Sequence, residues 1–152
     1  KNPKIVYDLY NKMAKEKSLN QLFSLEKIST IISQYQKNLI LIGAKTADGK
    51  IHALRGAIIY KHTAIDIFAA SDHFAKKNYL SYALCWELIL RCSSKGLKRY
   101  DFNGVDYEKN IGVYNFKKGT GAKLVKQLGE FEWSNSIILR TLINYITYFK
   151  LN

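Results

Sequence analysis

Gly96-Leu97-Lys98-Arg99-Tyr100-Asp101-Phe102-Asn103-Gly104-Val105-Asp106, followed after four residues by Ile111-Gly112-Val113-Tyr114-Asn115-Phe116-Lys117-Lys118-Gly119-Thr120-Gly121, is the stretch whose reading decides the fold. Gly96 fits a helix stop, because glycine takes the left-handed conformation that ends helices. Leu97 to Phe102 then reads as a short strand that stops at Asn103-Gly104. Asn110 to Lys118 reads as a small helix or turn closed by Gly119 and Gly121.

Working back from Gly96, Asn78 to Lys95 is a helix apolar on most of its circumference. Such a pattern predicts burial, with Leu80, Leu84, Trp86, Leu88 and Ile89 facing packed neighbours and Glu87 and Arg91 paired on the polar stripe. Ahead of it lie three β-rich runs, Leu39 to Lys45, Ile51 to Tyr60 and Ala64 to Ala70. Asp48-Gly49 joins the first two as a tight turn, since glycine accepts the positive φ demanded there, and the three together read as an antiparallel meander. Two amphipathic helices come first: Lys4 to Lys17, carrying Ile5, Val6, Leu9, Tyr10 and Met13, and Leu25 to Gln36, capped by Ser24. Beyond Gly121, Ala122 to Trp133 reads as a strand with Leu124, Leu128 and Phe131 as core candidates, and Ser136 caps a last helix, Ile137 to Phe149.

The 152 residues carry 24 Lys plus Arg against 12 Asp plus Glu, a net charge of +12, with 47% hydrophobic residues and a single proline. That composition excludes a disordered or low-complexity chain and allows one ordinary domain with its own core. The positive charge asks for an anionic partner, and tRNA, a nucleotide-linked precursor, CoA and anionic lipid all satisfy it. No run of about 18 apolar residues exists, which excludes a membrane-spanning helix. Cys85 and Cys92 lie on one helix, roughly 10 Å apart along its axis, too far to bridge, and read as reduced core thiols of a cytosolic protein.

The order of elements, together with the two stretches quoted above, resembles the second, carboxy-terminal GNAT-like lobe of the Fem-type aminoacyltransferases. That family's pattern is a helix-ending Gly, Tyr-Asp-Phe/Leu-Gly-Gly, then Gly-x-x-x-Phe-Lys-x-x-Phe-Gly. Asn103 stands where the family has its first Gly, and Thr120 where an aromatic is common. The resemblance implies an α/β (α+β) fold of GNAT type: a mixed, mostly antiparallel sheet flanked by helices, splayed between central strands to admit the acyl donor. It implies one domain over 1–152, expected to be part of a longer two-lobe protein. It also implies transfer of an amino acid from aminoacyl-tRNA, the donor substrate in place of a bound cofactor, to an amine of a peptidoglycan precursor peptide.

Aminolysis of an ester needs a neutral amine, an acceptor for its proton, and donors that stabilise the oxyanion. The resemblance favours Phe116 and Lys117, Lys117 for transition-state charge and Phe116 for packing on the donor; a solvated lysine beside a core phenylalanine fits the same residues. Asp101 could orient the acceptor amine, or cap its own turn. Tyr100, Asn103 and Gly104 belong to the same substrate-binding motif. Lys76 and Lys77 lie where a strand hands over to the long helix, a place where phosphates are met. No glycine occurs between Ala70 and Tyr82, so the Gln/Arg-x-x-Gly-x-Gly/Ala signature of CoA-binding relatives is missing. That weakens an acetyl-CoA-dependent N-acetyltransferase, the second function considered, and a non-catalytic nucleic-acid-binding module rests on charge alone. No Ser-His-Asp set, metal cluster or phosphate loop is present. His52, His62 and His73 read as surface or turn residues, and Tyr79, Tyr82 and Trp86 as core. The terminal helix is expected to pack on a second lobe or to attach peripherally to the inner face of the membrane, on its anionic surface.

Overall fold

The computed structural model describes residues 1–17, 23–106, 108, 110–126 and 135–151. The chain divides into two compact units, Lys1–Lys117 and Lys118–Asn152.

The first unit opens with two helices, α1 (Pro3–Glu16) and α2 (Leu25–Gln34). Asn2 caps α1 by accepting from the Lys4 amide, and Ser24 caps α2 by accepting from the Lys27 amide, so each helix starts where a side chain satisfies an otherwise orphaned N–H. Then come β1 (Leu39–Lys45), β2 (Ile51–Tyr60) and β3 (Thr63–Ser71), an antiparallel meander as expected. The β1–β2 turn is closed by Gly49 at φ +84°, a conformation that a side chain would strain.

Asp72 caps a five-residue helix, α3 (His73–Lys77), at the handover from β3 to the long helix. The long helix, α4 (Leu80–Ser94), starts afresh after Tyr79, whose φ of +56° breaks the chain direction. Next is β4, only three residues long (Arg99–Asp101), pairing parallel with β3. The sheet order is β1-β2-β3-β4, mixed and mostly antiparallel.

Both faces of the sheet are covered. On one, Val6, Leu9, Tyr10 and Met13 of α1 and Ile28 and Ile32 of α2 bury Leu54, Ile58, Phe68 and Ala70. On the other, Leu84, Leu88 and Cys92 of α4 lie on Ala53, Ala57 and Ala64. A strand buried on both faces cannot alternate polar and apolar residues, which is why β2 reads as a near-continuous apolar run. Gly56 at its centre has no room for a side chain: a Cβ there would lie 2.9 Å from Leu41 Cδ1 and 3.2 Å from the Ile40 carbonyl oxygen.

Burial departs from expectation on α4. Leu84 and Leu88 are buried, but Trp86 is 63% exposed, and Tyr79, Tyr82 and Leu90 are exposed with it. The helix meets the sheet along one narrow stripe, and its apolar circumference is wider than that stripe.

The second unit begins inside α5 (Ile111–Gly119) and contains α6 (Ile137–Leu151). Residues 122–126 are irregular rather than a strand, and Leu124 is exposed; the rest of the strand expected over Ala122–Trp133, with Leu128 and Phe131, lies outside the described residues. In α6, Ile137, Ile138, Leu142 and Tyr145 are exposed. No helix among the described residues is long and apolar enough to cross a membrane.

Candidate active site

The sheet opens where β3 and β4 part. Their pairing covers only Thr63 with Arg99, Ala64 with Tyr100 and Ile65 with Asp101, while β3 runs on to Ser71. Antiparallel pairing on the other side of β3 carries a register shift at Gly56/Ala57, leaving Ile67 as an extra residue between Asp66 and Phe68. A bulge of this kind bends the strand and re-aims its side chains. The gap is a cleft of about 660 Å³ lined by Arg55 of β2, by Asp66, Ile67 and residues 69–71 of β3, by Phe102, Asn103 and Gly104, by Phe116 and Lys117, and by Tyr79, Ser81, Tyr82 and Leu84.

The turn after β4 is tightly specified. Asp101 accepts from the Asn103 amide at 2.8 Å, so this carboxylate is spent at least in part on its own turn. Asn103 has φ +62°, and its side chain accepts from the Gly104 amide and donates to the Asp66 carbonyl at 3.3 Å. A glycine would meet the backbone demand, but asparagine also ties the turn across the opening to β3. The Asn103 and Gly104 carbonyls accept from Lys117 Nζ at 3.3 and 2.5 Å. Lys117 is thus held on the cleft wall by neutral oxygens, and partial burial holds its proton affinity below the usual lysine range, against the pull of Asp66.

Two residues missed by the sequence reading also line the cleft, at its floor. Arg55 of β2 and Asp66 of β3, each 6% exposed, form an ion pair through the guanidinium Nη2 and Oδ2. The guanidinium carbon sits 5.0 Å from the Phe116 ring centroid and 5.6 Å from that of Phe102. Arg55 Nε, Asp66 Oδ1 and the Tyr100 hydroxyl are buried and meet no hydrogen-bond partner among the described residues. Burial pushes the Asp66 carboxyl up to about 6 even though Arg55 pulls the other way. Burial, then Asp66, pushes the Tyr100 phenol well above its ordinary value. The available signal was one arginine and one aspartate of opposite charge placed in otherwise apolar neighbouring strands.

Of the remaining expected residues, Lys76 lines the cleft and lies 3.8 Å from Glu16, while Lys77 is exposed and away from the lining. Tyr100 packs edge-on against Phe102 at 4.9 Å rather than lining the cleft. Tyr82, expected in the core, stands on the wall with its ring 4.7 Å from Phe116. His52 is not a surface residue: it is buried, and its Nδ1 bonds Asp72 at 2.9 Å. Among the described residues no cluster of three or more His, Cys, Asp or Glu could hold a metal ion.

A family model, described as the FemAB family, matches residues 3–147. The chain belongs to the FemAB family. Relatives named aminoacyltransferase FemB, from Staphylococcus epidermidis, share 28% identity over 94 residues, 57% of this chain and 22% of theirs. Those named aminoacyltransferase FemA, from Staphylococcus aureus, share 38% over 67 residues, 41% of this chain and 15% of theirs. This FemAB chain therefore spans about a fifth or less of the length of the relatives it matches. Among solved structures, a GNAT-family acetyltransferase from Staphylococcus aureus Mu50 superposes with a TM-score of 0.67 at 11% identity, covering 86% of this chain and 88% of that one. An aminoglycoside 6'-N-acetyltransferase from Acinetobacter haemolyticus gives 0.65 at 10%, covering 88% and 92%. The fold is that of the GNAT acyltransferases.

Proposed function

We propose that this chain is an acyl-transfer lobe that moves an amino acid from aminoacyl-tRNA to an amine of a peptidoglycan precursor peptide. The observation that carries the reading is Lys117, pinned by two carbonyls on the wall of a cleft that opens where two strands of the sheet diverge. The acceptor amine attacks the ester carbonyl, a C–N bond forms and the C–O bond to the ribose breaks. The amine's proton ends on the departing ribose oxygen. Lys117, as ammonium, offsets the charge that develops on the carbonyl oxygen, a contribution strongest where water is excluded. Phe116 and Tyr82, in ring contact, form an apolar wall for the acyl group. Asn103 and Gly104 fix the lysine, Asp101 and Tyr100 support that turn, and Lys76 with Lys77 meets phosphate of the carrier.

The protein is read as cytoplasmic. A second GNAT-like lobe in the full-length protein would complete the acceptor site, and the apolar surface of α6 would be covered by that lobe or by an anionic membrane face.

The test is single-turnover transfer by the full-length protein, supplied separately with aminoacyl-tRNA and acyl-CoA. Transfer from aminoacyl-tRNA alone is expected, and Lys117→Ala should lower it about 100-fold, the scale of losing one oxyanion donor, with an unchanged circular dichroism spectrum. Transfer from acyl-CoA alone would replace this reading with an N-acetyltransferase, and full activity in Lys117→Ala would remove the lysine from the chemistry.

A further inference from the structure

Lys117 and Phe116 are presented by a helix, and Asn103 and Gly104 by a turn at the end of a short edge strand. Neither segment is deeply anchored: α5 has no buried residue, and β4 contributes three pairs to the sheet. Yet the pocket chemistry needs Lys117 fixed relative to the turn. One side chain touches both segments from beneath. The Arg55 guanidinium faces Phe102, which precedes the turn, and Phe116, which precedes the lysine. It comes from the central strand of the core, and Asp66 on the neighbouring strand fixes its direction.

We propose that Arg55 is a positioning residue for the transfer, a cationic peg whose guanidinium, within about 6 Å of both ring centroids, holds the Phe102 turn and the Phe116 helix together so that Lys117 stays at the cleft. The proposal rests on the reading of Lys117 given above for the chemistry, but not for the geometry. A planar guanidinium can stack on rings, whereas an ammonium presents a point charge, so lysine is a poor replacement at such a site. A purely structural salt bridge would fill its hydrogen-bonding capacity. Here Arg55 Nε and Asp66 Oδ1 have no partner among the described residues, and the guanidinium lies near both rings instead of forming a bidentate pair.

The arrangement also sets the electrostatics at Lys117. Among the described residues the charged groups that act on it include Asp66 on β3 and Asp101 on β4, which favour its ammonium, and Arg55 on β2, which opposes it. Tyr100 and Cys85 lie near Arg55, and burial keeps both more firmly protonated than usual.

The experiment compares Arg55→Lys and Arg55→Met in the full-length protein by two readouts. Transfer kinetics should show kcat reduced 10-fold or more with KM within twofold for both. Combining Arg55→Lys with Phe116→Leu should cost no more than the worse single change, as expected for residues acting through one contact. Competitive labelling of Lys117 with acetic anhydride as a function of pH, followed by mass spectrometry, needs no substrate. Its midpoint should move to higher pH in Arg55→Met, which removes the opposing charge, and stay within 0.3 pH units in Arg55→Lys. Overlapping labelling curves and additive double-mutant losses would overturn the proposal, as would a fall in thermal stability with unchanged activity per folded molecule. If wild-type protein transfers nothing, the transfer reading fails; curves that separate as described then still place the Arg55 charge at Lys117, and curves that overlap overturn the proposal as well.

Discussion

Two aspartates, Asp72 just beyond the end of β3 and Asp66 within it, are both buried, yet their surroundings drive them in opposite directions. Asp72, 1% exposed, accepts from Lys12 Nζ, His52 Nδ1 and the Ala75 amide. Burial alone would raise its pKa, but these bonds outweigh burial and bring it down to about 2. Among the described residues Asp66 has one side-chain partner and an unpaired oxygen, and its pKa is raised to about 6. The first carboxylate has its hydrogen bonding completed and joins α1, β2 and α3. The second is left half satisfied at the mouth of the strand splay. Incomplete satisfaction marks the place where the fold gives up stability to shape a site.

The sharpest way to break this comparison is Asp72→Ala. It strands His52 and Lys12 and removes the α3 cap, so chemical denaturation at pH 7 should show a loss of about 3–5 kcal/mol. A loss under about 1 kcal/mol would mean the network does not hold the elements together. The second prediction concerns pH. Asp66 has its folded-state pKa raised above the unfolded value near 3.9, so its contribution is complete below about pH 4 and is lost as pH rises through about 6. Between those limits the wild type should lose about 2–3 kcal/mol from this group, and Asp66→Asn should flatten the slope while costing little at pH 4. Asp72, depressed, works the other way: its contribution is present above about pH 4 and is lost as pH falls through about 2, which urea melts of Asp72→Asn against wild type would reveal. The smallest effect belongs to His52→Gln, which removes one of three hydrogen bonds to Asp72 and should cost about 1 kcal/mol in thermal melts.

What could be read from sequence follows the same division. The meander, the amphipathic faces of α1 and α2 and the Gly49 turn were legible because each rests on local periodicity or a local φ requirement. Placement of Phe116, Lys117, Asn103 and Gly104 on one wall was legible only through family resemblance. Arg55 and Asp66 were not found, since a lone charge in an apolar strand says nothing of its partner until the register sets the two strands side by side. His52, read as a surface or turn residue from its place in the hairpin, is buried for a related reason: α3 and Asp72 close over it. Trp86 was placed in the core because an apolar helix gives no hint of how narrow its contact with the sheet is.

The alanines beneath α4 have a last consequence. Ala53, Ala57 and Ala64 act as shims, setting how low the helix rides on the sheet. The same helix delivers Tyr82 to the opening, opposite Phe116. Adding a methyl group or two to any shim would lift the helix and widen the mouth, so the calibre of this cleft can be retuned from below by residues that no substrate ever meets.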